Sequence, residues 1–350
     1  MNSRPCDILC EWYQQCGRDL PWRATRNPYF IWLSEIILQQ TRVEQGRRYY
    51  EAFVRRFPRV EDLAAAQDDE VMLMWQGLGY YSRARNLHTA AKQVVEVFRG
   101  EFPKSYEELR QLKGVGEYTA AAVAAFAYDE SCAVVDGNVY RVLSRLYDVE
   151  EAIDSTRGKR LFQELAREVM ADARPSIYNQ AIMDFGAMVC TPQNPHCEEC
   201  PLADRCVARQ RSTIGERPQK QGRVKTRHRW FTYLYIESGS AILMRKRPEG
   251  DIWTGLYELP MIETPCEVSF EQLSAMEEFR GWMPEKWTLC DEQTLPLHRL
   301  THQVLHAKVI RFRVEEFRAE HHWLITPVWE VGEKAVPRLL ERYFEQIKNG

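Results

Sequence analysis

The chain has 350 residues, enough for two domains that each bury a core of their own. Its formal net charge of -3 gives no global pull toward a polyanion, and its opening stretch, MNSRPCDILCEWYQQ, lacks an apolar core of signal-peptide length. No window approaches eighteen uncharged apolar residues, so a membrane-spanning helix is excluded and a soluble, cytoplasmic protein is expected.

Residues 1–208 read as mostly helical, because apolar residues recur at helical spacing between short Gly, Pro and Asp breaks. The segment RDLPW, with Arg18, Leu20 and Trp22, precedes an apolar helical run from Trp32 to Val43. Glu35 lies inside that run. Desolvation there raises a carboxyl pKa toward neutrality and keeps a proton available for donation. Arg47, Arg48, Arg55, Arg56 and Arg59 follow, a basic stretch that suits either phosphates or a solvated helix face. Helical spacing returns at Val71 to Trp75 and Ala90 to Phe98, on either side of the segment GLGYYSRARNL, residues 77–87.

A helix-hairpin-helix is expected over residues 106–127. Two helical segments are joined there by Gly114-Val115-Gly116, with Tyr118 opening the small-residue run of the second. Glycines let the backbone approach a phosphate, and the N–H groups that open the next helix are anion donors. Asp136 then precedes a helical segment, Val139 to Tyr147, in the position of an N-cap.

Cys190, Cys197, Cys200 and Cys206 stand at spacings C-x6-C-x2-C-x5-C, with prolines at 192, 195 and 201. Four thiolates in a tight loop suit tetrahedral zinc or a four-iron, four-sulfur (4Fe-4S) cluster, and ligand chemistry alone does not separate the two. The spacing resembles the cluster loop of the endonuclease III superfamily of DNA glycosylases and differs from paired zinc ligands. Together with Trp32-Leu33-Ser34-Glu35-Ile36-Ile37-Leu38-Gln39-Gln40-Thr41, GLGYYSRARNL and VDGNVYRV, it makes residues 18–207 similar to the MutY-type adenine DNA glycosylases.

That resemblance implies one 4Fe-4S cluster and base-excision repair of adenine mispaired with 8-oxoguanine or guanine in double-stranded DNA, by a monomer of bacterial, nucleoid-associated type with no membrane contact. It implies Glu35 as general acid and Asp136 as the carboxylate facing an oxocarbenium ion, held at low pKa by its helix N-terminus. Tyr118 and Asn138 would support this chemistry. Arg18, Leu20 and Trp22 would line the adenine pocket, Gln40 and Tyr80 would enter the base stack, and Gly114, Val115 and Gly116 would meet the backbone. The family pattern has Pro where Lys113 stands, a departure expected to loosen the hairpin. Bifunctional relatives carry a Schiff-base lysine at position 118, so Tyr118 implies base removal without efficient strand cleavage. The alternatives are a bifunctional pyrimidine-lesion glycosylase and a zinc-stabilised DNA-binding protein without catalysis.

Residues 209–228 are polar and basic, with eight Lys/Arg from Arg209 to Arg229 against Glu216, and read as an interdomain linker. Beyond it the period changes. Strands are expected at Phe231–Ile236, Ala241–Met244 and Ala307–Val314, and helices at Phe270–Phe279 and Pro337–Ile347. This α+β domain, residues 229–350, resembles a Nudix-like lesion-reading domain through Trp253-Thr254-Gly255-Leu256-Tyr257-Glu258-Leu259-Pro260. The acidic magnesium-binding helix of true Nudix hydrolases is missing, so no magnesium is expected. For the family's His-x-Phe-Ser-His loop the chain offers His302-Gln303-Val304-Leu305-His306, which keeps His302 as a groove-searching residue and loses the serine hydroxyl.

Overall fold

A computed structural model describes residues 3–222, 226–318 and 322–349. Its helices run in chain order as α1 (Pro5–Cys16), α2 (Pro28–Leu38), α3 (Val43–Arg56), α4 (Val60–Ala65), α5 (Asp68–Met74), α6 (Ser82–Glu96), α7 (Tyr106–Leu109), α8 (Glu117–Tyr128), α9 (Gly137–Leu146), α10 (Thr156–Met170), α11 (Pro175–Met188) and α12 (Val207–Gln210). The contacts divide the chain into two units, one of residues 1–65 with 86–222 and one of residues 66–85 with 223–350.

The first unit is helical. Leu9, Val142, Leu143, Phe162, Ile182 and Phe185, drawn from α1, α9, α10 and α11, form a buried cluster. Alanines 120–122, 124 and 125 of α8 are almost fully buried, and α2 packs against this helix. Small side chains allow that close approach, which brings α2 and α8 together at the site described below.

The second unit holds strands β1 (Arg227–Ser238), β2 (Ala241–Lys246), β3 (Tyr257–Glu258), β4 (Met261–Thr264), β5 (Trp287–Thr294), β6 (His298–Arg299), β7 (Gln303–Val314) and β8 (Leu324–Pro327), with helices α13 (Phe270–Ser274), α14 (Glu277–Trp282) and α15 (Arg338–Asn349). One mixed sheet runs β3-β2-β1-β7-β5, with β1 parallel to β7 and the other pairs antiparallel. Alternation along β1 sorts the two faces. Phe231, Tyr233 and Tyr235 join Leu340 and Tyr343 of α15, whereas Leu234 and Ile236 join Leu273 and Phe279 of α13 and α14.

Several boundaries differ from the sequence expectations. The run from Trp32 to Val43 is two helices, parted where Gln40 takes φ 54°. Phe270–Phe279 is likewise split between α13 and α14. The linker expected at 209–228 does not hold as one. Arg217, 3 % exposed, forms an ion pair with Asp148 at 2.8 Å and donates to Glu150, Ile153 N–H bonds Gln219 C=O, and Gln221 N–H bonds Asp154. Residues 209–222 therefore belong to the helical unit, and β1 begins at Arg227. The basic charge that looked solvated is partly neutralised by the buried Asp148 and the exposed Glu150; Arg223 and Lys225 lie outside the described residues. Residues 66–85, assigned by sequence to the first domain, group with the sheet.

Candidate active site

The apolar composition of α2 buries it on nearly all sides. Asn27 caps its start, accepting from Tyr29 N–H at 3.0 Å, with Pro28 in the first turn. Glu35 is carried into this interior and is 7 % exposed. Burial pushes its carboxyl from the ordinary range up to about 7, against the pull of the Tyr118 hydroxyl and the charge of Arg23. That hydroxyl, on the first turn of α8, donates to Glu35 Oε2 at 2.9 Å. Asp136 caps α9 as expected, accepting from the N–H groups of Asn138 and Val139, both at 2.8 Å, and from Asn138 Nδ2 at 2.8 Å.

The expected low pKa of Asp136 is not found. Burial raises it, and the three hydrogen bonds and Arg141 only partly oppose the shift. Glu35, Tyr118, Asp136 and Asn138 line one cavity of about 670 Å³, together with Arg18, Leu20 and Trp22. Two residues of its frame escaped the sequence reading. Asp184 of α11, fully buried, accepts from Arg18 Nε at 2.9 Å and binds Arg23, fixing the RDLPW segment to a residue 166 positions away. Arg141 donates to Asn138 Oδ1 at 2.8 Å and to the carbonyls of Gly186 and Cys190 at 2.6 and 2.7 Å. This guanidinium ties the cap of α9 to the start of the cysteine loop.

In the hairpin Gly114 takes φ 74°, and a Cβ there would lie 2.5 Å from Asn86 Cβ. Val115 is buried, and Gly116 precedes α8, whose first N–H groups lack intrahelical partners. Lys113 does not loosen the turn. Its N–H, which a proline would lack, donates to Gln93 Oε1 at 2.7 Å and pins the hairpin to α6.

Gln40 and Tyr80 are exposed non-glycine residues at φ 54° and 48°, a backbone region that costs free energy and concentrates at functional sites. Within the second unit the Tyr80 hydroxyl lies 2.6 Å from Thr301 Oγ1. Thr301 and His302 form the exposed tip between β6 and β7. This corrects the expected recognition loop. Val304 and Leu305 are 3 % and 0 % exposed inside β7, and His306 pairs with His228 at 2.8 Å and stacks on Trp230. The family spacing is met four residues earlier, by His298-Arg299-Leu300-Thr301-His302, so the hydroxyl is present as Thr301. The alternation of Leu305, Ala307 and Val309 with His306 and Lys308 was the available signal of a strand.

Cys190, Cys197, Cys200 and Cys206 line a small cavity of about 30 Å³ with Pro195 and His196. A four-iron, four-sulfur cluster takes one thiolate at each of its four irons, and four cysteines on one tight loop supply that number. This donor set fits the cluster.

A helical unit with a hairpin, a two-carboxylate pocket and a four-thiolate loop, followed by a mixed-sheet domain, defines the class of helix-hairpin-helix base-excision proteins. Residues 33–168 match the HhH-GPD superfamily base excision DNA repair protein family, 190–206 the iron-sulfur binding domain of endonuclease III, and 232–346 the NUDIX domain. The chain is similar to a thermostable thymine-DNA glycosylase of known structure, with TM-score 0.54 and 28% identity over 59% of this chain and 95% of that one. It is also similar to the adenine DNA glycosylases of Buchnera aphidicola subsp. Baizongia pistaciae, 35% identical over 72% of each chain, and of Mus musculus, 34% identical over 78% of this chain. The chain belongs to the adenine DNA glycosylase family and carries its iron-sulfur cluster loop. It spans 63% of the mouse protein's length and 60% of the human one's.

Proposed function

We propose that the chain is a monofunctional adenine DNA glycosylase that hydrolyses the N-glycosidic bond of adenine opposite 8-oxoguanine or guanine in duplex DNA, acting as a monomer in the cytoplasm. The observation that carries this reading is a buried Glu35 with pKa about 7, sharing one cavity with Asp136. Adenine must leave the stack to enter such a cavity. Glu35 donates its proton to adenine N7 while the Tyr118 hydroxyl steadies the other carboxyl oxygen, and the base becomes a good leaving group. Asp136 faces the positive sugar, as a counter-charge or through a transient covalent bond, and Glu35, now ionised, takes a proton from the attacking water. The cysteine loop would hold its cluster on the far side of Arg141 and supply rigidity there; no chemical step needs it. The deciding assay presents duplexes with adenine opposite 8-oxoguanine, guanine or thymine, followed by alkali. Strand breaks at adenine in the first two duplexes alone are expected, and breaks at a pyrimidine lesion would favour the bifunctional alternative.

Position 118 gives a second expectation. Borohydride should trap little protein-DNA adduct during adenine release, because a phenol forms no imine. Tyr118→Lys should gain trapping, and strong trapping by the unaltered chain that disappears in Lys113→Ala would contradict the monofunctional mechanism.

Reading of the opposite base is assigned to Thr301, His302 and Tyr80. Thr301→Val keeps the shape and removes the hydroxyl, so the preference for 8-oxoguanine over guanine should fall by about 1 to 3 kcal/mol, the value of one good base contact. Leu305→Ala should instead destabilise the fold by roughly 2 to 5 kcal/mol, as for other buried leucines, with the preference intact. Excision rates on the two duplexes and a thermal melt separate these outcomes.

A further inference from the structure

Residues 66–85 are fastened to the sheet-bearing part of the second unit at four points along their length. Asp69 accepts at both carboxylate oxygens, Oδ1 from Lys246 Nζ at 2.5 Å and Oδ2 from the Tyr257 hydroxyl at 2.6 Å. Lys246 and Tyr257 are register partners across β2 and β3, so one sheet edge presents both donors together. Gln76 Oε1 accepts from Val336 N–H at 3.0 Å. Tyr80 meets Thr301 as described, and Arg85 Nη1 donates to the Thr254 carbonyl at 2.5 Å.

The Thr254 turn is itself braced. Asp251 accepts from the buried guanidinium groups of Arg229 and Arg247 at 2.6 to 2.7 Å, and the Thr254 hydroxyl bonds Asp251 C=O at 2.8 Å. Trp253 and Gly255 take φ 62° and 77°, a tight turn that such bracing stabilises. Inside the segment Gly77 and Gly79 take φ 93° and 73°, shaping the bend that presents Tyr80.

We infer that the Nudix-like unit holds a base-probing segment lying within the stretch that matches the helix-hairpin-helix family, with Asp69, Lys246 and Tyr257 acting as positioning residues that fix residues 66–85 so that Tyr80 and Thr301 address the opposite base from one body. This inference rests on the proposed reading of the opposite base. None of the three touches the pocket of Glu35 and Asp136. Their effect is preorganisation. An exposed aromatic in a strained backbone conformation binds more tightly when its segment is ordered in advance. The Asp69–Lys246 pair is nearly half exposed, so its own contribution is small, and removal of both donors is needed for a clear effect.

The test uses the full chain with its cluster and the double variant Lys246→Met/Tyr257→Phe. Amide hydrogen exchange of peptides covering 66–85 should quicken while α8 stays protected. The preference for 8-oxoguanine over guanine should fall about three- to tenfold, the scale of a lost hydrogen-bonded anchor, with single-turnover release from the guanine mispair within about twofold of the unaltered chain. A purely structural defect would lower both duplexes together. In a Tyr80→Ala background, where both the ring that the segment presents and its bond to Thr301 are already gone, the double variant should cost little further preference. Unchanged exchange over 66–85, equal loss on both duplexes, or a full additive loss in the Tyr80→Ala background each overturns the inference. Failure of the unaltered chain to release adenine from any duplex refutes the enzymatic reading instead, and the exchange arm then decides the anchoring by itself.

Discussion

Glu35→Gln is expected to bind a mispair duplex normally and to release adenine about 100- to 10,000-fold more slowly, the usual contribution of a general acid. The amide keeps the size of the side chain and an oxygen to accept from Tyr118, so the pocket is retained while the transferable proton is lost. Single-turnover excision near the unaltered rate would remove Glu35 from the mechanism. The pH profile follows with its sign. The proton is present below the pKa of about 7, so the rate should be lost as pH rises through that value.

Stability moves the opposite way. A buried Glu35 raised from 4.5 to about 7 binds its proton more tightly in the folded state, which favours folding below the unfolded value and loses that support as pH rises through about 7. Glu35→Gln carries no charge at any pH. It should therefore melt at a higher temperature than the unaltered chain at pH 8, with an advantage of at most roughly 3 kcal/mol that disappears near pH 4. A functional acid held at a cost in stability predicts such a crossing of activity and stability, whereas a solvated Glu would show neither effect.

What the sequence made legible was local. Glu35 lies within one apolar helical run, Asp136 sits at the residue before a helix, and the four cysteines fall within seventeen residues; spacing marked the cysteines and the burial of Glu35, whereas Asp136 read by itself as a helix cap and was singled out by the family resemblance. Asp184 was not legible, because its meaning lies in Arg18 and Arg23, brought to it only by the packing of α11. The basic run after Arg209 was misread for a related reason: polarity looks the same whether a charge faces water or a buried Asp148. Asp136 shows the limit of a motif in electrostatics. The cap geometry was readable and the balance was not, since desolvation, a property of everything around the carboxylate, outweighs the hydrogen bonds that the motif supplies. In the recognition tip, two histidines at the family's spacing pulled the register four residues too far, into a strand whose Val304 and Leu305 face the core. Residues 66–85 were assigned to the first domain by helical spacing and by the GLGYYSRARNL motif, and neither says anything about the partners of Asp69 or Tyr80.

Asp136→Asn is the second change expected to be severe, and its geometry allows charge to be separated from structure. An Asn at position 136 keeps an oxygen for the N–H groups of Asn138 and Val139, and Asn is as good an N-cap as Asp, so α9 should remain formed. Its amide nitrogen, however, would meet Asn138 Nδ2, donor against donor. Asn138 cannot turn to accommodate it without giving up the bond from Arg141 to its oxygen. Adenine release should fall about 100- to 1,000-fold, the effect of removing one preorganised electrostatic partner of a transition state, with a modest drop in melting temperature from the mismatched amides. Asp136→Asn/Asn138→Asp returns an acceptor to face both the new amide and Arg141. It should restore the melting temperature but not the rate, because the negative charge has moved to the position that faces the guanidinium. Recovery of excision along with stability would mean that Asp136 acts only as a cap, and the counter-charge to the sugar would have to be sought elsewhere in the pocket.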